Sequence, residues 1–272
     1  MTDPLIIEAG RTERQYWRDL WKYRELFYFL AWRDFLIRYK QTVVGVAWSL
    51  IRPLLTMLIL TLVMKVGKLP TGGAPAPLFV FCAMLPWQFF STAMSECGNS
   101  LVNNSNLVSK IYFPRLVVPA SSVIVSFVDF LIAALFLVAL MFFYHFAPPQ
   151  QVVFVPLFVI LVFATSFGAG LWIAALMVKY RDFRFIVPFV VQFGLYAAPV
   201  LTMTSHVSLK WRWLYSVNPT VGIIDGFRWC LLGGENHIYW PALALSIVVT
   251  AAFVVSGLWY FRKTERTFAD TI

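Results

Sequence analysis

The chain has 272 residues, of which 60% are hydrophobic, 18% aromatic and only 13% charged, with a mean hydropathy of +0.74. This composition lies outside the range of a water-soluble globular domain. The net charge of +9 gathers on alternate connections between apolar segments, so it reads as a topological signal and points away from nucleic-acid binding.

Residues 1–41 form a polar and basic leader without the apolar core of a signal peptide. Within it Arg11, Arg14, Arg18, Lys22 and Glu25 recur at three- and four-residue steps, with Trp17, Leu20, Trp21, Phe27 and Tyr28 on the opposing face. That pattern predicts an amphipathic helix lying in the headgroup plane, its basic face free to receive a partner. Six apolar stretches follow at 43–66, 78–98, 116–145, 152–178, 186–204 and 239–261, each long enough to match a hydrocarbon core of about 30 Å, which takes about 20 residues. The expected fold is therefore all-α and integral to the membrane, with a six-helix unit over 42–262 and a tail at 263–272.

Orientation follows from the basic residues. The leader, the second-to-third and fourth-to-fifth connections and the tail hold most of them, and the other side has Lys65, Lys68, Lys210, Arg212 and Arg228. By the positive-inside rule both termini face the cytoplasm. Within the spans, Arg52, Glu96 and Asp129 are costly unless paired, and Arg52 with either carboxylate is the expected pair. Trp87, Trp211, Trp213 and Trp240 are expected as anchors at the membrane surface.

Two connections carry local signals. Between spans two and three, Asn and Ser residues precede a short helix expected from Asn106 to about Phe113, ended by Pro114. Leu107, Ile111 and Phe113 would then make an apolar knob beside Lys110 and Arg115, a shape that fits a groove on a soluble partner. Between spans five and six, Asn218 and Pro219 start a helix that Gly233 and Gly234 stop. About 14 residues rise only about 21 Å, so this helix is expected to be re-entrant, a gate at the outer face.

Reactive centres are missing. His145, His206 and His237 are scattered, and Cys82, Cys97 and Cys230 form neither a disulfide framework nor a metal motif. No Gly-x-x-x-x-Gly-Lys-Ser/Thr loop occurs, so energy must come from another subunit.

Five segments in order, Tyr39 to Trp48, Leu85-Pro86-Trp87-Gln88-Phe89-Phe90, Asn106 to Arg115, Lys179 to Arg184 and Asn218 through Arg228, resemble the polysaccharide-export permeases of type-2 ABC transporters. The resemblance runs from about Trp17 to Arg262. It implies a permease homodimer in the bacterial inner membrane, working with two copies of a separate ATP-binding-cassette ATPase that alone uses ATP and Mg. The implied cargo is an undecaprenyl-diphosphate-linked O-antigen, capsule or teichoic-acid polymer. It further implies a coupling segment at Asn103 to Phe113, with Asn103, Asn106, Leu107, Lys110, Ile111, Phe113 and Arg115 meeting the ATPase. Arg14, Arg18 and Lys22 of the interface helix would attract the lipid phosphate. Asn218, Pro219, Asp225 and Arg228 would belong to the external gate. Arg52, where the family pattern has a neutral polar residue, and Asp225, where Glu is usual, are departures.

Phe189, Gln192, Phe193 and Tyr196 share one helical face and are an expected channel lining, since sugar C–H faces stack weakly on aromatic rings; the resemblance implies that Trp48 joins them. Two other readings stay open: the same fold exporting a small lipid or drug, and a membrane-embedded transferase acting on lipid-linked sugars.

Overall fold

A computed structural model describes residues 13–40, 45–234, 236–265 and 267–268, and every element in them is helical. In chain order they are α1 (Glu13–Lys22), α2 (Arg24–Lys40), α3 (Gly45–Val66), α4 (Ala76–Asn103), α5 (Ser105–Lys110), α6 (Val117–Phe143), α7 (Val155–Lys179), α8 (Phe183–Ala197), α9 (Leu209–Tyr215), α10 (Pro219–Leu231) and α11 (Trp240–Glu265).

Among the described residues, four segments are long and apolar enough to cross a bilayer: Ala76–Asn103, Val117–Phe143, Gln150–Lys179 and Trp240–Glu265. The shortest has 26 residues, or about 39 Å of helix at 1.5 Å per residue. Their outward faces carry Leu135, Phe142, Leu157, Ile160, Val248 and Val255, all exposed. Apolar surface on this scale, turned outward, is what a lipid solvent requires and water forbids. The chain is a multi-pass membrane protein. The fifth expected span is shorter than the sequence suggests. Its helix, α8, has 15 residues, about 22 Å, because Pro199 follows Ala198 in extended conformation, which disfavours helix at the preceding residue.

The core is a ring cluster between α4, α6 and α7. Phe89 lies 5.8 Å from Phe127, 5.4 Å from Phe130 and 6.0 Å from Phe163 between centroids. Against this, α7 and α11 approach closely at small residues: a Cβ on Gly168 would meet the Phe253 carbonyl carbon at 2.7 Å, and one on Gly257 the Gly168 oxygen at 2.6 Å. Thr165 and Thr250 hydroxyls then meet at 2.6 Å, and the Trp172 indole donates to Ser256 at 2.9 Å.

The expected single leader helix is two helices. The chain turns at Tyr23, and the buried stripe is Tyr16, Leu20, Tyr23, Phe27 and Leu30, packed on the cluster of Leu101, Val108, Phe113, Leu171 and Phe261. Trp17, Trp21 and Tyr28 are exposed, so the single apolar face expected for them with Leu20 and Phe27 is split. The expected ionic pairing changes too. Asp129 and Glu96 meet Arg38, at 3.1 and 3.6 Å, and not Arg52, which is exposed. Tyr39 adds its hydroxyl to Asp129, and Arg33 donates to Asn104 at 2.6 Å. Helix α2 therefore runs along α6 as far as its middle, where Arg38 reaches Asp129 and, on α4, Glu96.

Helix α10 is buried along nearly its whole length, against α4, α7 and α11. Glycine makes the approach to α7 possible: a Cβ on Gly226 would sit 1.9 Å from the Phe158 ring. Replacing Gly226 with Ala is expected to cost about 1–3 kcal/mol through overpacking, read as a lower melting temperature of the detergent-solubilised protein, and Phe158→Ala in the same chain should recover part of the loss.

Candidate functional site

The bundle has two chemically distinct ends, and each holds part of the expected machinery. At one end, the connection between α4 and α6 contains α5, which starts one residue earlier than expected and stops at Lys110, three residues short of Phe113. The helix ends because Ile111 is already extended, with φ −122° and ψ 134°. Asn104 fixes its start: its amide donates to Ser100 O at 2.9 Å while its oxygen accepts from Arg33.

The structure divides the expected docking residues into two groups. Asn103, Asn106, Lys110 and Ile111 are exposed and Leu107 is half-buried. Phe113 is buried in the cluster under α1 and α2, so it supports the connection from below and is not part of an exposed knob. The exposed apolar pair is Ile111 and Tyr112. Arg115 is also committed within the chain, its backbone N–H donating to the Glu265 carboxylate at 2.8 Å and its guanidinium to the Glu265 carbonyl. Of the expected phosphate-attracting residues, Arg18 and Lys22 are exposed on α1, and the Arg14 side chain lies outside the described residues.

At the other end lie α8, α9 and α10. Asn218 caps α10 as expected, accepting from the Thr220 backbone N–H at 3.1 Å and from its hydroxyl at 2.8 Å. Pro219 follows in the first turn, and Gly233 and Gly234, at φ 56° and 62°, end the helix in the left-handed region. Arg228 is 1% exposed, so it faces no lumen in a single chain. It donates to Thr202 O at 2.9 Å and Val200 O at 2.6 Å, with its guanidinium 3.7 Å from the Phe79 ring centroid. These contacts tie the extended segment after α8 to both α10 and α4. Asp225 and Asn236 each present a buried oxygen that meets no donor among the described residues, and both line a small cavity with Met203, Ser205, Arg228 and His237.

The four α8 positions expected to line a channel, Phe189, Gln192, Phe193 and Tyr196, share one exposed face, and the Phe189 and Phe193 rings are 4.3 Å apart. The opposite face of α8 holds the bundle through Val187, which is buried, and Gly194, where a Cβ would come 2.5 Å from Trp87. Trp87 is therefore a packing residue at 6% exposure and not a surface anchor, because it fills the gap that Gly194 opens; Trp211, Trp213 and Trp240 are exposed. Trp48 lies in the first turn of α3, and its side chain is outside the described residues. Sequence reasoning missed Arg38, Tyr39 and Glu265. An acidic residue inside the basic run Arg262, Lys263, Arg266 was the available signal for Glu265.

Among the described residues, no group of three or more His, Cys, Asp or Glu is placed to hold a metal. What the geometry defines is a multi-pass helical membrane protein with a filled core, a tethered connection at one end and a capped buried helix at the other. The chain belongs to the ABC-2 type transporter family, whose model matches residues 25–232. It is 27% identical over 248 residues to an O-antigen export system permease protein RfbA of Klebsiella pneumoniae, covering 88% of this chain and 92% of that one. It is 26% identical over 258 residues to the protein of the same name from Myxococcus xanthus, covering 94% and 98%.

Arg228→Ala is expected to cost about 1–3 kcal/mol, the range for leaving a buried acceptor such as the Val200 carbonyl unpaired. It would show as loss of folded protein after detergent extraction, with Arg228→Lys intermediate because a single ammonium cannot span both carbonyls and the ring.

Proposed function

We propose that this chain is the transmembrane subunit of an ATP-driven exporter that moves a lipid-linked polysaccharide across the bacterial inner membrane. Two copies of the chain work with two copies of a separate ATP-binding-cassette ATPase, which binds the ATP and Mg. Both termini face the cytoplasm, six helices cross or enter the bilayer, and α10 is the gate element at the outer end. The names of its relatives, matched over about nine-tenths of the chain, support the export role and the class of cargo.

One observation carries the dimeric passage. The interior between α4, α6 and α7 is filled by phenylalanine rings, so a hydrated polymer has no route through a single chain. Helices α3 and α8, by contrast, turn Leu55, Leu58, Ile59, Leu62, Phe189, Phe193 and Tyr196 outward. Pairing two copies through these helices encloses an aromatic-walled path whose rings stack on sugar C–H faces and release them readily. The cytoplasmic entrance lies near α1, where Arg18 and Lys22 attract the phosphate of the lipid carrier.

ATP binding draws the two ATPase subunits together, and the motion enters at α5 through Leu107, Lys110 and Ile111. Helices α3 and α8 of the two copies then separate. The purified permease and ATPase, reconstituted together in inverted vesicles with the cell's own lipid-linked polymer, are expected to move that polymer into the lumen only when ATP is supplied; movement by the permease alone would overturn the reading. Replacing Leu107 and Ile111 together with Glu should abolish capture of the ATPase by tagged permease while the protein still inserts and keeps its melting temperature. A cysteine at Tyr196 should cross-link two copies in membranes, whereas one at the α6 position Leu135, turned to lipid, should not.

A further inference from the structure

A push delivered at α5 passes next into the 105–115 connection. In this structure the connection does not end in a free loop. Arg115 is held at two points by Glu265, the last residue of α11: the backbone N–H of Arg115 donates to the carboxylate at 2.8 Å, and its guanidinium donates to the Glu265 carbonyl. Residues 115 and 265 are 150 apart in sequence, so this is a long-range fastening and not a local turn.

The same turn of α11 also grips the leader. The Arg262 guanidinium lies 4.5 Å from the Tyr16 ring centroid and 6.0 Å from that of Trp17, within the range of cation–π attraction. Burial, with the Glu265 carboxylate next in effect, holds the Tyr16 hydroxyl well above its ordinary pKa, as expected of a phenol shut in beside an anion. Beneath these polar contacts Phe113, Leu116, Val117, Phe261 and Phe268 pack as one buried cluster, with Phe261 and Phe268 rings 5.3 Å apart. Charged groups fastened in a half-buried setting hold geometry better than exposed pairs, which are worth little.

We propose that Glu265 is a positioning residue for energy coupling: it joins the 105–115 connection, the end of α11 and α1 into one body, so that force delivered at α5 passes directly to the last transmembrane helix and the interface helix. This rests on the ATPase docking at α5. Coupling then has two arms, one through α4 and α6, which flank the connection in sequence, and one through α11, which does not.

The test replaces Arg115 and Glu265 with Cys in the permease–ATPase complex, carried in inverted membrane vesicles with the cell's own lipid-linked polymer. Cys82, Cys97 and Cys230 are buried, so a short bifunctional methanethiosulfonate reaches the introduced pair. With the pair left open, polymer moved per ATP hydrolysed is expected to fall about fivefold or more, the lower end of measured coupling between sites, while the ATPase still co-purifies. Tethering the pair should restore it, and Glu265→Gln, whose amide oxygen still accepts from Arg115, should keep most of the native ratio. An unchanged ratio with the pair open, or export blocked by the tether, would overturn the proposal. So would a complex that assembles only when tethered, since the contact would then be structural. Failure of the docking reading is separate and appears first, as an unmodified permease that does not retain the ATPase.

Discussion

Inside hydrocarbon no water reaches the main chain, so a protein that crosses it repeatedly closes its backbone polar groups within helices. Lipid tails are as apolar as leucine, and helix association then depends on close packing and on the few polar contacts between helices. Here that packing converges on α4, which is buried over most of its length, whereas α6, α7 and α11 turn much of their surface outward. Its rings and small residues receive α6 at Phe89, α7 at Cys97, α10 at Phe79 and α8 at Trp87. Each neighbour is placed by a specific shape on α4, and the positions of both ends of the bundle follow.

Charge obeys the same constraint. Arg228, fully buried, spends its hydrogen bonds on two carbonyls and lays its plane on a phenyl ring, which is chemistry that a planar guanidinium supports and an ammonium does not. Arg38 sits between two carboxylates from two helices. In both cases the cation fastens a chain segment to its neighbours, the extended stretch after α8 and the end of α2. The polar residues inside this protein are therefore mostly fasteners.

Much of this was readable from residue order. Long apolar runs, the Asn218–Pro219 start and the paired glycine stop of α10 depend on local rules, and local rules survive folding. Spacing along one helix also placed Phe189, Gln192, Phe193 and Tyr196 on one face. Several misreadings share a cause, since each needed a partner distant in sequence. Asp129 is met by Arg38 and not Arg52, Trp87 is buried because Gly194 is opposite it, and Phe113 is covered by a leader helix 80 or more residues earlier. The two-helix leader was missed because its buried stripe begins at Tyr16, and a stripe with aromatic and basic residues on both sides satisfies two helical faces equally well.

The distribution of packing also bears on which parts move. Regions with few buried contacts open most readily; of the helices proposed to meet a second copy, α8 has only Val187 fully buried, while α3 seats Met57, Leu60 and Met64 in the core and turns Leu55, Leu58, Ile59 and Leu62 outward. The elements around α4 are filled by rings and close glycine contacts, and such cores switch between discrete arrangements and do not deform gradually. On the proposed coupling, a push arriving at α5 would reach α4, α6 and, by way of Glu265, α11, and would be taken up at the α3 and α8 faces that a second copy would cover. The apolar exposure that leaves these helices unfinished in one chain is the same property that would let them part.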